Sequence, residues 1–110
     1  MKYELLLTRE TEASLEQIIG YLAKRSPLGA LAWCEQWEKV LAELRLNPFQ
    51  HGLAPESAEY DAEIRQILFK TRRGRKYRAL FTVVGRGVYV VDLRGPSQNL
   101  VHHNQLRRRS

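Results

Sequence analysis

The apolar residues of this chain alternate as in a strand at residues 3–7, follow the period of a helix over residues 15–44 and alternate again over residues 63–94, and this pattern limits the possible folds. The first helical stripe consists of Leu15, Ile18, Ile19 and Leu22. Its spacing predicts one buried helix face, with Thr8 or Thr11 as the N-terminal cap. A second stripe with the same spacing runs over residues 30–44. Ser26-Pro27 lies between the stripes and predicts a second helix start, with the serine as cap and the proline at the first position.

Two helices joined by so short a turn must pack antiparallel, as a helical hairpin. Gly20 inside the first helix costs about 1 kcal/mol relative to alanine, and we expect the close approach of a neighbouring helix to compensate. The second helix should end at Asn47-Pro48, since the residue before a proline disfavours the α region. We interpret Trp33 and Trp37, both on the second stripe, as core anchors rather than as a platform for stacked bases.

Alternation of side chains predicts four strands. The buried face of the first strand consists of Tyr3, Leu5 and Leu7. After a loop over residues 49–60, three more strands are predicted at residues 63–69, 76–84 and 87–94. In the last of these, we expect Tyr89, Val91 and Leu93 to share one face. Glycines between the last three strands favour tight turns, so these strands form a meander.

The predicted order is β-α-α-β-β-β, an α+β fold with a four-stranded, mostly antiparallel sheet. The helical hairpin covers one face, and the opposite face and the hairpin tips are left to display charge. A length of 110 residues suits one domain, and the single cysteine, Cys34, excludes an internal disulfide. We assign residues 1–98 to the folded domain and residues 99–110 to a basic, flexible C-terminal tail. Because no apolar run is long enough for a signal or a membrane span, we expect a cytoplasmic protein without a membrane partner.

Charge is distributed unevenly between the two halves of the chain. Residues 1–64 contain six Lys or Arg and eleven Asp or Glu, whereas residues 65–110 contain twelve Lys or Arg and one acidic residue, Asp92. Such an asymmetry indicates a polyanionic partner for the second half. Arginine outnumbers lysine thirteen to five, which favours forked recognition of phosphate or carboxylate.

The cations concentrate around the first turn of the meander. We predict a nucleic-acid-binding surface made of Lys70, Arg72, Arg73, Arg75, Lys76 and Arg86. Arg65, Arg78 and Arg94 lie on the strands themselves, and neighbouring strands are about 4.8 Å apart. We therefore expect the cations to converge on one patch. No acidic residue nearby in the sequence neutralises these cations, so we expect the patch to bind an anionic partner.

The usual catalytic signatures are absent from the sequence. There is no Gly-rich phosphate loop, no Cys/His spacing that suits zinc, and no nucleophile with an evident base. We therefore expect no metal and no cofactor. Any catalysis would be electrostatic.

Several motifs together resemble the RelE/ParE toxin superfamily over residues 1–98. Residues 15–27 contain a Leu-x-x-Ile-x-x-Tyr-Leu run that leads to Ser-Pro, and a Leu-x-x-Asn-Pro ending follows at residues 44–48. Residues 63–67 resemble the arginine-containing strand of these toxins. Residues 77–83 match their Tyr-Arg-x-x-Phe-x-Val strand, and Arg94-Gly95 stands where many members have His-Gly.

This resemblance implies the toxin of a type II toxin–antitoxin module, of the plasmid-stabilisation type. RelE-like members cut mRNA on the ribosome, and for that activity Arg65, Arg78 and Arg94 are the implied catalytic residues, holding and polarising the scissile phosphate. Arg94 replaces a histidine that acts as general acid in some members, and an arginine cannot donate its proton at neutral pH. The general acid and base are therefore not assigned.

Three functions are compatible with these residues. The leading interpretation is an endoribonuclease toxin that cleaves mRNA on the ribosome through a metal-free arginine site. The first alternative is a ParE-like inhibitor of DNA gyrase without catalytic activity, and the second is a non-toxic nucleic-acid-binding domain of the same fold. Both toxin interpretations imply a cognate acidic antitoxin, which we expect to contact Arg72, Arg73 and Arg78.

Overall fold

A computed structural model describes residues 2–96 of the chain. The elements in chain order are β1 (Glu4–Leu7), α1 (Arg9–Arg25), α2 (Pro27–Leu46), β2 (Arg65–Phe69), β3 (Tyr77–Val84) and β4 (Gly87–Arg94). Two short 3-10 helices, Pro48–Gln50 and Pro55–Glu59, occupy the connection from α2 to β2. The predicted α+β class and element order are confirmed. The predicted domain end at residue 98 and the predicted tail at residues 99–110 lie outside the described residues.

The four strands form one sheet in the order β1-β4-β3-β2. β1 pairs with β4 in parallel, and the other two pairings are antiparallel, so the sheet is mostly antiparallel as predicted. β2 begins at Arg65 rather than at residue 63, and β3 begins one residue later than predicted. β2 and β1 are the two edge strands.

Side chains at the helix ends explain where the helices begin and end. The Thr8 hydroxyl accepts a hydrogen bond from the backbone N–H of Thr11 at 3.2 Å, which caps α1. The Ser26 hydroxyl accepts from the N–H of Gly29 at 3.0 Å, and α2 ends at Leu46, directly before Asn-Pro. These caps and stops are those expected from the sequence.

Gly20 lies on an exposed part of α1, and a Cβ added there would meet no atom within 4 Å. The expectation that a neighbouring helix approaches closely at this glycine is therefore wrong. On the other side of α1, Ile18 is buried and packs in the core with residues of α2 and the sheet.

The helices pack on one face of the sheet, around an aromatic cluster from α2, β2 and β3. Trp33 and Trp37 are 2% and 4% exposed and stack with their ring centroids 6.0 Å apart. Trp33 also contacts Phe69 and Tyr77, at 5.6 and 5.4 Å between centroids. Phe69 ends β2 and Tyr77 begins β3, so this cluster anchors both ends of the turn that joins the two strands. The interpretation of the tryptophans as core residues is confirmed.

The face alternation of β4 differs from the prediction because the strand contains a bulge. Val88 and Val90 are fully buried under the helices, whereas Tyr89 is 37% exposed. The pairing with β3 then shifts by one residue: Phe81 is opposite Val90, and the preceding Leu80 is opposite Asp92. An extra residue on one strand re-aims the side chains that follow. Because of this extra residue, Leu93 faces the helices, whereas Asp92 and Arg94 face the opposite side of the sheet.

The face opposite the helices is partly covered by the segment 52–64. Ala54 and Ile64 from this segment pack on Leu80 of β3, and all three are at most 4% exposed. Val91 is partly buried against them. The expectation that this face is open for charge display is therefore wrong over the area that the segment covers.

Candidate functional site

Arg78 and Arg94 are directly opposite each other on β3 and β4. Arg78 alternates with Tyr77 and Ala79, which pack into the helix-side core, so its side chain points to the other face. The bulge in β4 brings Arg94 to that same face. The meander places two of the three predicted catalytic arginines on neighbouring strands, as the sequence indicated, and the bulge makes them directly opposite.

A carboxylate from the covering segment lies between these two arginines. Glu56 Oε2 accepts from Arg78 Nη2 and from Arg94 Nη1, each at 2.6 Å. Glu56 Oε1 also accepts from Arg78 Nη1 at 3.0 Å, so both terminal nitrogens of the Arg78 guanidinium donate to this carboxylate. Charge-assisted, forked hydrogen bonds of this kind are among the strongest in proteins.

A second acid and an amide complete the cluster. Arg94 Nε donates to Asp92 Oδ2 at 3.0 Å, and Asp92 Oδ1 accepts from the N–H of Leu93 at 2.8 Å. Arg78 Nη1 also donates to Gln66 Oε1 at 2.8 Å. Two arginines and two carboxylates balance, so these four ionised side chains carry no net charge. We name Glu56, Gln66, Arg78, Asp92 and Arg94 the arginine network.

Burial and charge shift the pKa values around the arginine network. The hydrogen bonds from Arg78 lower the pKa of Glu56 to about 2, against a smaller opposing effect of burial. Glu56 is therefore a carboxylate at neutral pH, and a weak base. Burial raises the pKa of the nearby Tyr60, although the charge of Arg94 opposes this rise, so the phenol keeps its proton.

Arg65, the third predicted catalytic residue, lies on the helix side of the sheet. Its strand partner is Phe81, a core residue. Arg65 Nη1 donates to the carbonyl of His51 at 2.6 Å, and its guanidinium stacks over the Phe49 ring at 5.2 Å. The ion pair with Glu63 is longer, at 3.6 Å, and exposed. Arg65 thus fastens the first 3-10 helix to β2 and does not join Arg78 and Arg94.

Five of the six predicted nucleic-acid-binding residues lie together in the exposed turn between β2 and β3. We name Lys70, Arg72, Arg73, Arg75 and Lys76 the basic turn. All five are exposed, and no acidic residue within residues 2–96 forms an ion pair with them. The basic turn is therefore a surface of uncompensated positive charge, held at both ends by the aromatic cluster.

Arg86 is separated from the basic turn. It lies in the turn between β3 and β4, at the other end of the eight-residue β3, which spans roughly 25 Å. There it borders a small pocket with Lys2 and Tyr3. The cations predicted to form one patch thus occupy different places on the molecule.

Sequence reasoning missed Glu56 and Gln66, the two acceptors that hold Arg78. Glu56 precedes Arg78 by 22 positions and lies in a stretch without periodicity. The sequence offers no signal for its position except that it is an acid in a segment long enough to fold back over the sheet. The expectation that nothing neutralises the strand arginines is wrong for Arg78 and Arg94.

Two arrangements are absent from the described part of the chain. Within residues 2–96, no group of three or more His, Cys, Asp or Glu side chains is placed to hold a metal ion. Over the same residues, no helix combines the length and the apolar character that crossing a membrane requires.

The strand order and the helical hairpin define a ParE/RelE-like α+β fold. A chain in the solved structure titled "Chromosomal ParDE TA system from P. aeruginosa" superimposes with a TM-score of 0.64 at 21% sequence identity. The match covers 84% of this chain and 95% of that chain. No protein-family model matches the sequence, and no curated protein matches it either. The resemblance expected from the sequence is confirmed at the level of the fold.

Proposed function

We propose that this protein is the toxin of a type II toxin–antitoxin module and that it acts by binding its target, not by cutting RNA. The structural likeness to a chain of a ParDE TA system supports the toxin assignment. DNA gyrase, the ParE-type target, is then the proposed target. Such a module acts on cytoplasmic machinery, so the same proposal places the protein in the cytoplasm, with a cognate antitoxin as its partner.

The neutral arginine network is the observation that favours binding over catalysis. A metal-free ribonuclease site needs cations that are available to the scissile phosphate and groups that exchange protons. Arg78 and Arg94 instead donate to Glu56 and Asp92, and Arg94 is 3% exposed. Their positive charge is already balanced by the protein before any substrate arrives.

Proton transfer at this site is also poorly supported. Arg94 does not release a proton at neutral pH, and a carboxylate with a pKa of about 2, that of Glu56, is too weak a base for efficient catalysis. Tyr60 keeps its proton because burial raises its pKa. The groups that surround Arg78 and Arg94 therefore suit a structural network better than an acid–base pair.

The decisive experiment is induced expression of the full chain alone in a bacterial host, with DNA and mRNA followed separately. We expect growth arrest, DNA breaks that depend on gyrase, and intact mRNA. In parallel, purified protein is added to a translating extract, where we expect no mRNA fragments. Purified gyrase should lose supercoiling activity in the presence of the protein.

Other outcomes would assign the other functions. Cleavage of mRNA on the ribosome, lost in Arg78→Ala and kept in the matched surface variant Arg86→Ala, would identify a ribonuclease and overturn the binding proposal. Harmless expression, together with RNA or DNA affinity that falls steeply with salt, would identify a non-toxic nucleic-acid-binding domain.

A further inference from the structure

The basic turn is the tip of a two-stranded hairpin at one end of the sheet. Phe69 and Tyr77 form the last pair between β2 and β3, one position beyond the last pair between β3 and β4. Their rings stack with centroids 5.9 Å apart. In the connection between them, the N–H of Gly74 donates to the carbonyl of Thr71 at 3.2 Å, which closes a tight turn. The hairpin tip is therefore a hydrogen-bonded turn on a packed aromatic base.

This tip presents positive charge and no large apolar side chain. In chain order it consists of Lys70, Thr71, Arg72, Arg73, Gly74, Arg75 and Lys76. The five cations are exposed, and no acid within residues 2–96 forms an ion pair with them. The interface with a folded protein has an apolar core, which these residues do not supply. Phosphates need only charge and hydrogen-bond donors, and the guanidinium fork fits them, so the tip suits a phosphate backbone.

The aromatic side chains near the tip are not available to stack on unpaired bases. Trp33 and Phe69 are 2% and 8% exposed, and Tyr77 is half-buried against them. Tyr21 at the end of α1 is exposed, but the Arg25 guanidinium lies over its ring at 5.3 Å and donates to its hydroxyl at 2.8 Å. Proteins that hold single strands combine cations with aromatic platforms. A duplex, in which the bases are already stacked, is therefore the better partner.

The shape of the tip favours a DNA duplex over an RNA duplex. The major groove of B-form DNA admits a two-stranded ribbon, whereas the major groove of A-form RNA is too narrow for side chains to enter. A hairpin tip in the DNA groove lies between two rows of phosphates. Cations from both arms of the hairpin then face phosphates: Lys70 and Arg72 on one arm, Arg75 and Lys76 on the other.

We propose that the basic turn enters the major groove of duplex DNA and binds the phosphates on both sides of it. Contacts to phosphates carry no sequence information, so the binding depends little on base sequence. This inference about DNA stands without the proposed function. Its extension, that the DNA is the segment on which gyrase acts, rests on the proposed function.

The first experiment measures binding of the full chain to a labelled DNA duplex of about 20 base pairs, two helical turns, by fluorescence anisotropy. We expect log K to fall linearly with log salt between about 50 and 200 mM, with a slope of about −3 to −4.5, because each phosphate contact contributes about −0.9. A duplex of unrelated sequence should bind equally well. Single-stranded DNA and an RNA duplex of the same length should bind about tenfold more weakly.

Groove-specific dyes test where the turn binds on the duplex. Methyl green occupies the major groove and should compete with the protein. Netropsin occupies the minor groove and should leave the affinity unchanged. Competition by netropsin alone would overturn the placement in the major groove.

Paired substitutions test whether the turn itself makes the contacts. Arg72→Ala combined with Arg73→Ala should reduce the salt slope by about 2 and weaken binding at least about tenfold at about 100 mM salt. Arg72→Lys combined with Arg73→Lys keeps the charges and should keep the slope. Lys2→Ala combined with Arg86→Ala is the matched control: it removes the same charge at the far end of the sheet and should bind like the wild type. All four positions are exposed, and circular dichroism establishes that each variant is folded.

Three binding results would overturn the proposal. The first is an equal loss of affinity in the Lys2→Ala, Arg86→Ala variant, because binding would then follow net charge and not the turn. The second is binding of a polyglutamate peptide as tight as that of the duplex, which would indicate an acidic protein as the partner. The third is binding of the RNA duplex or of single-stranded DNA as tight as that of the DNA duplex.

An assay with purified gyrase separates this inference from the proposed function. The variant with Arg72→Ala and Arg73→Ala should inhibit supercoiling about tenfold less than the wild type, and unchanged inhibition would overturn the assignment of the DNA on gyrase as the ligand. A chain that arrests growth through gyrase but has no affinity for duplex DNA would overturn the inference and leave the proposed function in place. A harmless chain that binds duplex DNA through the basic turn would do the reverse.

Discussion

Arg78 and Arg94 face each other across β3 and β4 and donate to the same oxygen, Glu56 Oε2, at 2.6 Å each. Two like charges at directly opposite positions of an antiparallel pair destabilise a sheet. The carboxylate between them reverses this effect, and it lies on the segment that covers the sheet. The arginine pair therefore fastens residues 55–59 to the strands.

We expect Glu56→Gln to lower the free energy of unfolding by about 2–4 kcal/mol, because two largely buried guanidinium groups are then left with only one carboxylate, that of Asp92. Denaturant unfolding followed by circular dichroism measures this loss. Glu63→Gln is the matched control: its ion pair with Arg65 is long and its side chain is 73% exposed, so the change should stay within about 0.5 kcal/mol. Equal losses in the two variants would contradict a structural role for the arginine network.

The low pKa of Glu56 predicts how stability depends on pH. In the unfolded chain this pKa is near 4.5, and in the folded protein it is about 2. A lowered folded-state pKa stabilises the protein above the unfolded value, and this stabilisation is lost as pH falls from 4.5 toward 2. We expect a contribution of about 2–3 kcal/mol at neutral pH, since the carboxylate keeps some contact with solvent. Unfolding curves of the wild type and Glu56→Gln, measured at successive pH values, should converge below pH 4.5. A constant difference down to pH 2 would contradict this.

Two glycines should respond to alanine in opposite directions. Gly20 lies inside α1, where an added Cβ meets open space, so Gly20→Ala should stabilise the protein by about 1 kcal/mol through helix propensity. Gly85 has a φ of 58° in the turn between β3 and β4, a conformation that costs an alanine about 1–2 kcal/mol. Thermal unfolding of both variants checks the signs. Destabilisation by Gly20→Ala would indicate a contact at that position in the folded protein.

Local signals were sufficient to predict the elements of this fold. Ser26 followed by a proline signals a helix start, a proline after Asn47 signals a helix end, and Trp33 and Trp37 share a helical stripe that is expected to be buried. Each of these inferences depends on residues within one or two turns of each other. The same kind of signal wrongly placed Leu93 on one face with Tyr89 and Val91, because the bulge between them depends on the pairing of two strands and has no reliable mark in the sequence of one.

The site was predicted less well because its geometry depends on long-range contacts. The bulge in β4 decides that Arg94 meets Arg78, and the folding back of residues 52–64 decides that Glu56 lies between them. Side chains alternate along β2, and this alternation places Arg65 on the helix side of the sheet, the face opposite to that of Arg78 and Arg94. By contrast, the cations of the basic turn are neighbours in sequence, and they are neighbours in the structure as well.

The function of the arginine network can be tested by restoring the residue type that Arg94 replaces in the resemblance to nuclease toxins. Arg94→His supplies a group that can donate a proton, but it removes the bonds to Glu56 and Asp92 at a position that is 3% exposed. We expect a loss of about 2–3 kcal/mol in the free energy of unfolding and no mRNA cleavage in a translating extract. Arg94→Lys, which keeps the charge but loses the fork, is the control and should also produce no cleavage. Appearance of mRNA fragments with Arg94→His alone would mean that the network has the geometry of a ribonuclease site and lacks only its acid.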